Sequence, residues 1–369
     1  MKKFILALFF LFAIFAFPVF AQSIPPQAPI QQFFKARVVQ IVEQGEKEID
    51  GYKVYYQTLR IQIEDGTQKG KYTIIENGKE AQITKDQLVN KNQEIVVAKT
   101  IYPKGHVTYS IYDFYRLNYL LVFLIIFFVT VVLIAGRKGF GSILGMIVSL
   151  GIILLYIVPN ILKGNDPLTV TLIGSVFILL ITTYLAHGIS KKTTIALSST
   201  LISLFLTAGF AIIAIKFNSI TGLGNEDSFA LTLGPTSIID IKGLFLSGII
   251  ISTLGALNDI TTTQSATILE LKIANPKLKF GALFEKGLNV GKEHIASLVN
   301  TLILAYVGSA FAIFIFFILN PAKIPYWVIL NNEIVSDEII RIIAGSVGLL
   351  LSVPIVTLIA SYIFSKKKN

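Results

Sequence analysis

The sequence predicts a polytopic α-helical membrane bundle of about seven spans, preceded by a small extracytoplasmic β domain. Hydrophobic residues make up 53% of the 369 positions and charged residues only 15%, which is far from the composition of a soluble domain. Several apolar runs reach the roughly 20 residues that a helix needs to cross a bilayer. Residues 22–115 break this pattern with short alternating runs that favour strands. The chain therefore divides into a β part and a helical membrane part.

The first 21 residues have the features of a secretory signal peptide. Lys2 and Lys3 precede an apolar run, and Ala21 supplies a small residue for cleavage before Gln22. An uncleaved anchor is the competing interpretation, because the apolar run is near the upper length of a signal core. Both interpretations place the following residues outside the cytoplasm.

Residues 22–115 predict a small antiparallel β domain, either barrel-like, with an OB-like barrel as one form, or a sandwich. Residues 34–42 and 55–63 alternate and are enriched in β-branched and aromatic side chains. Three turn dipeptides separate the runs: Asp50-Gly51, Asp65-Gly66 and Asn77-Gly78. Residues 22–115 contain twelve Lys and Arg residues and eleven Asp and Glu residues, so their charges nearly balance. This balance argues against nucleic acid as a partner.

Residues 116–369 predict the transmembrane domain, with the lipid bilayer as its surroundings. Positive charge sets the orientation, because cytoplasmic loops are enriched in Lys and Arg. With the β domain outside, the cytoplasmic loops and C-terminus hold twelve of these residues and the outer connections hold six. We therefore expect a multi-pass cell-membrane protein with a cytoplasmic C-terminus. The predicted spans are 117–135, 143–162, 168–187, 195–215, 243–263, 295–319 and 339–364.

A polar run inside the fifth span is the strongest functional signal. The run contains Asn258, Asp259, Thr263 and Gln264. A carboxylate costs free energy in hydrocarbon unless it meets partners or water, so we predict that Asp259 belongs to a working site. On a helix, Asp259, Thr263 and Glu270 share one face. The hydroxyl residues also fit plain helix packing, because Ser and Thr commonly bond to carbonyls of their own helix.

The sixth span begins with a second polar cluster that includes His294, Ser297 and Asn300. At 1.5 Å per residue, Asn300 lies about 9 Å beyond His294, which is near the depth of Asp259 in an antiparallel neighbour. We predict that the two clusters face one another, with a removable proton on Asp259 or His294. The predicted substrate- or ion-binding residues are Asn258, Asp259, Thr263, Gln264, Glu270, His294, Ser297 and Asn300.

The sequence predicts no enzyme, no cofactor and no metal site. It contains no HExxH, P-loop or GxSxG motif, and it has no cysteine for thiolate chemistry or disulfides. Glu293 and His294 form only a fragment of a zinc site, which needs about three protein ligands. An intramembrane acid/base pair of Asp259 and His294 is therefore the weakest of three functional hypotheses.

Two polar blocks resemble the YibE/F-like membrane protein family. The resemblance is carried by residues 257–266 with Leu269-Glu270-Leu271, and by residues 291–297 with 300–308. The upstream segments Tyr112–Arg116 and Gly136–Gly139 fit the same family. The resemblance implies a multi-pass membrane protein with an outer β domain, and it implies no particular activity.

The leading hypothesis is permease-like movement of a small solute or ion through a site around Asp259. The alternative is a membrane scaffold or sensor component that transports nothing and whose outer β domain binds a partner. An aqueous cavity that reaches Asp259 would favour the first hypothesis, whereas a dry, hydrogen-bonded Asp259 would favour the second.

Overall fold

The computed structural model describes residues 30–49, 52–79, 82–103, 105–224, 226–233, 238–320 and 322–366. The chain divides into two compact units, of which the first ends at Thr130 and the second begins at Val131. The predicted signal peptide lies outside the described residues. The first unit contains a β-sheet and the beginning of a long helix, and the second unit contains helices.

Five antiparallel strands form one sheet in the order β3-β2-β1-β4-β5, which confirms the predicted β structure. β1 is long enough to pair with β4 through its first part and with β2 through its second part. Alternate side chains enter one apolar core, where Val38, Ile61 and Val97 are fully buried. The strands are β1 Ile30–Ile49, β2 Tyr52–Ile63, β3 Tyr72–Asn77, β4 Glu94–Ile101 and β5 Val107–Phe114.

The sheet is open, so the predicted barrel-like closure is wrong. Turn dipeptides specify hairpins between consecutive strands, but they carry no information on whether the two outer strands pair. Within the described residues, no backbone ladder joins the outer strands β3 and β5. Side chains link this region instead, because the Tyr109 hydroxyl donates to Gln68 Oε1 at 2.9 Å and Lys71 lies over the Tyr109 ring.

Four of the long helices begin where the sequence supplies a capping side chain. Asp166, Ser190, Asp240 and Asn332 each accept a hydrogen bond from a backbone N–H in the first turn of the helix that follows. A π-helical turn, Ile153–Ile157, joins the first two helices. The helices are α1 Leu117–Ile152, α2 Val158–Leu162, α3 Pro167–His187, α4 Lys191–Phe217, α5 Glu226–Leu231, α6 Ile241–Ala274, α7 Phe280–Ser309, α8 Phe311–Leu319, α9 Tyr326–Leu330 and α10 Glu333–Ser365.

Five helical elements of the described chain are long and apolar enough to cross a membrane. There are six if α7 and α8, which are bent by 67° at their junction, form one span. The seven predicted spans are therefore not confirmed. The first two of them lie in one element, Leu117–Leu162, which Gly136 interrupts with φ 56° and ψ −131°. Only glycine adopts such a backbone conformation at little cost.

Small residues let the helices of the second unit pack closely. A Cβ atom on Gly348 of α10 would overlap the Thr207 side chain of α4, and one on Gly345 would lie 2.8 Å from Thr253 of α6. A small residue of α1 also lies in close contact, because a Cβ on Gly141 would lie 2.9 Å from the carbonyl oxygen of Leu185. Close backbone approach of this kind stabilises helix pairs where lipid supplies no hydrophobic drive.

Candidate functional site

Asp259 lies in the middle of α6, about 27 Å along the axis from the start of the helix at Ile241. Its side chain is exposed, and within the described residues its carboxylate accepts no hydrogen bond. Asp259 lines a cavity of about 450 Å³ between the second half of α1, α3 and α6. An ionised carboxylate within a membrane needs water or a counter-charge, and a cavity of this size can hold several waters.

Along α3 and α6, the polar groups of the cavity lie toward the end that contains Asp259, and the apolar groups lie toward the other end. His187, the last residue of α3, lines the same cavity as Asp259, and its imidazole interacts electrostatically with the Asp259 carboxylate. The other walls are mostly apolar and small, and they include Gly145, Ile178 and Leu254. Five further polar side chains line the cavity: Ser142, Ser149, Thr182, Asn258 and Thr262.

Several of these polar side chains already have partners. The Ser149 and Thr182 hydroxyls donate to carbonyl oxygens four residues earlier, at 2.9 and 2.7 Å. The Thr262 hydroxyl donates to the Asn258 carbonyl at 2.8 Å, and the Asn258 Oδ1 accepts from Thr183 at 2.9 Å. These bonds still leave hydroxyl lone pairs and the Asn258 amide free toward a ligand. Asp259 and His187 are the two ionisable groups of the lining.

Gln264, another predicted site residue, holds helices together. It is 2% exposed, and its Nε2 donates at 2.8 Å to both the Gly287 carbonyl of α7 and the Thr357 hydroxyl of α10. A Cβ on Gly291 would lie 3.0 Å from the same Nε2. A buried amide with two good acceptors has its donors satisfied. Gln264 therefore lies in the interface of three helices and not in the cavity.

The α7 residues of the prediction match the depth of Asp259 but do not line its cavity. Hydrogen bonds Gln264–Gly287 and Ser252–Tyr306 fix the antiparallel register of α6 and α7. Interpolation between them places Asp259 at about the level of residues 292–299. His294, Ser297 and Asn300 are exposed, and none of them lines the cavity. The structure thus does not bring the two predicted clusters into one cavity.

Thr263 and Glu270 are exposed on α6, and neither lines the cavity. Of the eight predicted residues, the cavity therefore contains Asn258 and Asp259. The sequence reasoning missed the α1 and α3 walls and His187. His187 could have been noticed in the sequence as a titratable residue at the end of an apolar helix. Nothing in the sequence, however, indicates that α3 packs beside α6.

The β unit carries its own polar features. Arg37 bonds to Glu64 at 2.5 Å and to Glu94 at 2.7 Å, and the Arg37 guanidinium holds the pKa of the Glu64 carboxyl below its ordinary value. A hollow of about 820 Å³ lies beside Arg37. Its lining includes Asn90, Gln93, Glu94, Tyr115, Arg116 and Asn118.

No group of three or more His, Cys, Asp or Glu side chains within the described part of the chain is placed to hold a metal ion. The cavity offers one carboxylate and one imidazole. Two such ligands fall short of the three that a catalytic zinc site uses.

These features define the class as a helical membrane protein with an additional antiparallel sheet. Its apolar helices have the length and composition of membrane spans, and its polar cavity is built by three of them. The sequence model of the YibE/F-like protein family matches residues 123–366, about two thirds of the chain, and the chain belongs to this family. No curated protein and no solved structure matches the chain.

Proposed function

We propose that the protein moves a small polar solute or ion across the membrane, with Asp259 as the ionisable centre of the pathway. The observation that carries this proposal is the cavity of about 450 Å³ that reaches an exposed Asp259 with no hydrogen-bond partner among the described residues. A packed scaffold would bury or pair such a carboxylate, because an isolated charge in hydrocarbon is costly.

The cavity chemistry favours a small cation or a hydroxylated cationic solute. Asp259 supplies negative charge, and the hydroxyl and amide groups supply acceptors and donors at the same end. The His187 imidazole can take up or release a proton and so couple proton movement to solute movement. The proposal involves no catalytic step.

The proposed orientation has the β unit outside the cytoplasm and the C-terminus inside. The excess of Lys and Arg in the assigned inner loops, twelve against six, supports it. Seven crossings follow if the 46-residue element Leu117–Leu162 turns back at Gly136, since a straight helix of that length would be about 69 Å long against a core of about 30 Å. A Cβ on Gly139 would approach both the Val131 carbonyl at 2.5 Å and Ala135, which supports a sharp reversal there.

Single cysteines test this orientation against a background that has none. We expect a cysteine at Lys279 to react with an impermeant thiol reagent only in inside-out vesicles. A cysteine at Asn331 should react only in right-side-out cells. The reverse pattern would overturn the orientation.

Metal and metabolite profiling of a deletion strain tests the proposed function. The strain is complemented with the wild type, Asp259→Asn or Glu270→Gln at matched membrane levels. We expect the wild type and Glu270→Gln to restore the same accumulated species, because Glu270 is an exposed carboxylate of α6 outside the cavity. Asp259→Asn should leave the imbalance at the level of the deletion strain, and full restoration by that variant would refute the proposal.

One observation supports a second candidate function, in which the outer β unit binds a partner. The hollow beside Arg37 is lined by amide and aromatic side chains, which suit recognition of a polar ligand. On this candidate, Asp259→Asn would restore the phenotype fully while substitutions in the hollow, such as Asn118→Ala, would not.

A further inference from the structure

A second carboxylate of the helical unit, Asp337, is buried without adequate partners. Asp337 lies in the second turn of α10 and is 6% exposed. Its Oδ1 has no hydrogen-bond partner among the described residues. A buried ionised carboxylate with a bare oxygen costs several kcal/mol, by order of magnitude, so a group in this position is neutralised or paired.

Residues 221–224, the covering loop, lie over Asp337. The Glu333 Oε1 anchors this loop, because it accepts from the Thr221 amide at 2.6 Å, the Thr221 hydroxyl at 2.7 Å and the Gly222 amide at 2.8 Å. Gly224 lies against Asp337, and a Cβ atom there would overlap the Asp337 Oδ2. The loop therefore closes over the carboxyl group and excludes water from it.

The charges around Asp337 do not neutralise it. Glu333 and Glu338 on α10 are acidic, and the Glu333 bonds that the loop supplies are from neutral donors. Arg341 is one turn away, but it pairs with Glu338 at 3.4 Å and stacks on the Phe245 ring at 5.1 Å. Its Nε has no hydrogen bond within the described residues, and no ion pair there joins Arg341 to Asp337.

The neighbouring elements bring no buried counter-ion to this end. Residues 243–251 of α6 and 302–305 of α7 contain no ionisable side chain, and Tyr306 donates its hydroxyl to Ser252. The charged residues nearest in sequence on α4 and α6 are exposed: Lys216, Asp240 and Lys242. A cation from these elements therefore does not compensate Asp337.

We propose that Asp337 is a proton-binding site, occupied at mildly acidic pH, whose proton keeps the covering loop seated. A proton removes the charge beside Glu333 and is the only ligand that needs no added volume under Gly224. Loss of this proton would place a second negative charge next to Glu333 and drive water under the loop. The loop is thus expected to open as the pH rises.

This site is separate from the Asp259 cavity. Arg341 stacks on Phe245 and approaches Gly248, so Asp337, one turn earlier, lies near the start of α6. Asp259 is about fifteen residues further along α6, which corresponds to about 22 Å. The proposal therefore stands whether or not Asp259 serves transport.

Infrared spectroscopy of the full chain in lipid nanodiscs tests the proposal. We expect the wild type at mildly acidic pH to show the carbonyl band of a protonated carboxylic acid. Asp337→Asn should lose one such band, and the matched control Glu338→Gln should retain it. Retention of the band in a folded Asp337→Asn protein would overturn the proposal, as would its absence from the wild type.

Hydrogen–deuterium exchange of the wild type gives a test that does not depend on the variant folding. After correction for intrinsic exchange, we expect protection of peptides that cover the loop to fall at least several-fold as the pH rises from mildly acidic to alkaline. Asp337→Asn, which resembles the protonated acid, should remove this dependence. Protection of the wild-type loop that does not change with pH would refute proton binding. Protection that rises with sodium and requires Asp337 would also refute it and would indicate a bound cation instead.

Discussion

Asp259 and Asp337 are carboxylates of the same helical unit in opposite environments. Asp259 is exposed, lines a cavity and has no hydrogen-bond partner for its carboxylate among the described residues, so it can meet a ligand directly. Asp337 is covered by a loop and has a bare oxygen inside, so it can exchange only a proton without rearrangement. The difference teaches that the elements packed against a carboxylate set its environment. An open interface between helices exposes Asp259, whereas a loop covers Asp337.

The two environments follow from how closely the neighbouring helices pack. On the side where α4, α6 and α10 meet, glycines such as Gly348 bring the helices into close contact. On the cavity side, a Cβ atom on Gly255 would meet nothing within 4 Å. The same small residue therefore closes one interface and leaves the other open.

Alanine at these two glycines is the strongest test of the contrast between closed and open sides. We expect Gly348→Ala to lower the free energy of unfolding by about 1–3 kcal/mol, because its Cβ would overlap Thr207. Gly255→Ala adds a Cβ in open space and should be neutral or stabilise by up to about 1 kcal/mol, since alanine favours the helix. Thermal unfolding in the same detergent measures both variants.

The double variant Gly348→Ala with Thr207→Ala provides the control, because it removes the Thr207 hydroxyl that the new Cβ would overlap. It should recover part of the lost stability. Equal effects of Gly348→Ala and Gly255→Ala would show that the two sides are packed alike, and the cavity would then not be a lasting feature of the fold.

Much of the helical architecture was predictable from the sequence. The predicted segment 168–187 corresponds to α3 Pro167–His187, and 195–215 lies within α4 Lys191–Phe217, because apolar length and capping residues are local signals. The predicted Asp259 is a cavity residue for a similar reason, since a charge in an apolar run is unusual wherever the helix packs.

The remaining features depend on which helix faces which, and the sequence does not encode that locally. Gln264 and Asp259 lie five positions apart, yet Gln264 bonds α7 and α10 while Asp259 faces α1 and α3. His187 reaches the cavity from a segment 72 positions before Asp259. The open sheet escaped prediction for a related reason, because turn signals specify only consecutive strands.

Glu64 in the β unit is a third carboxylate, and it adds a charge-paired case to the contrast between Asp259 and Asp337. Its pKa is lowered first by the hydrogen bond from Arg37, so the folded state binds a proton there less readily than the unfolded chain. The stabilisation from this pair is therefore present above the unfolded pKa and is lost as the pH falls through the folded one. If Asp337 binds a proton in the folded state, that proton should stabilise the fold at low pH, and this stabilisation should be lost as the pH rises.

Glu64→Gln gives the smallest expected effect, about 0.5 kcal/mol, because the Arg37 side chain is 42% exposed and water screens the pair. Exchange rates of β1 and β2 peptides in the full chain, corrected for intrinsic exchange, measure it. The wild type should lose protection below about pH 4, and Glu64→Gln should lose less over the same range because its loss is already present at neutral pH. Glu48→Gln, an exposed carboxylate of the same strand, should behave as the wild type. If Glu64→Gln retained the full acid sensitivity of the wild type, the Glu64 carboxylate would not contribute to that sensitivity, just as we expect for Glu48.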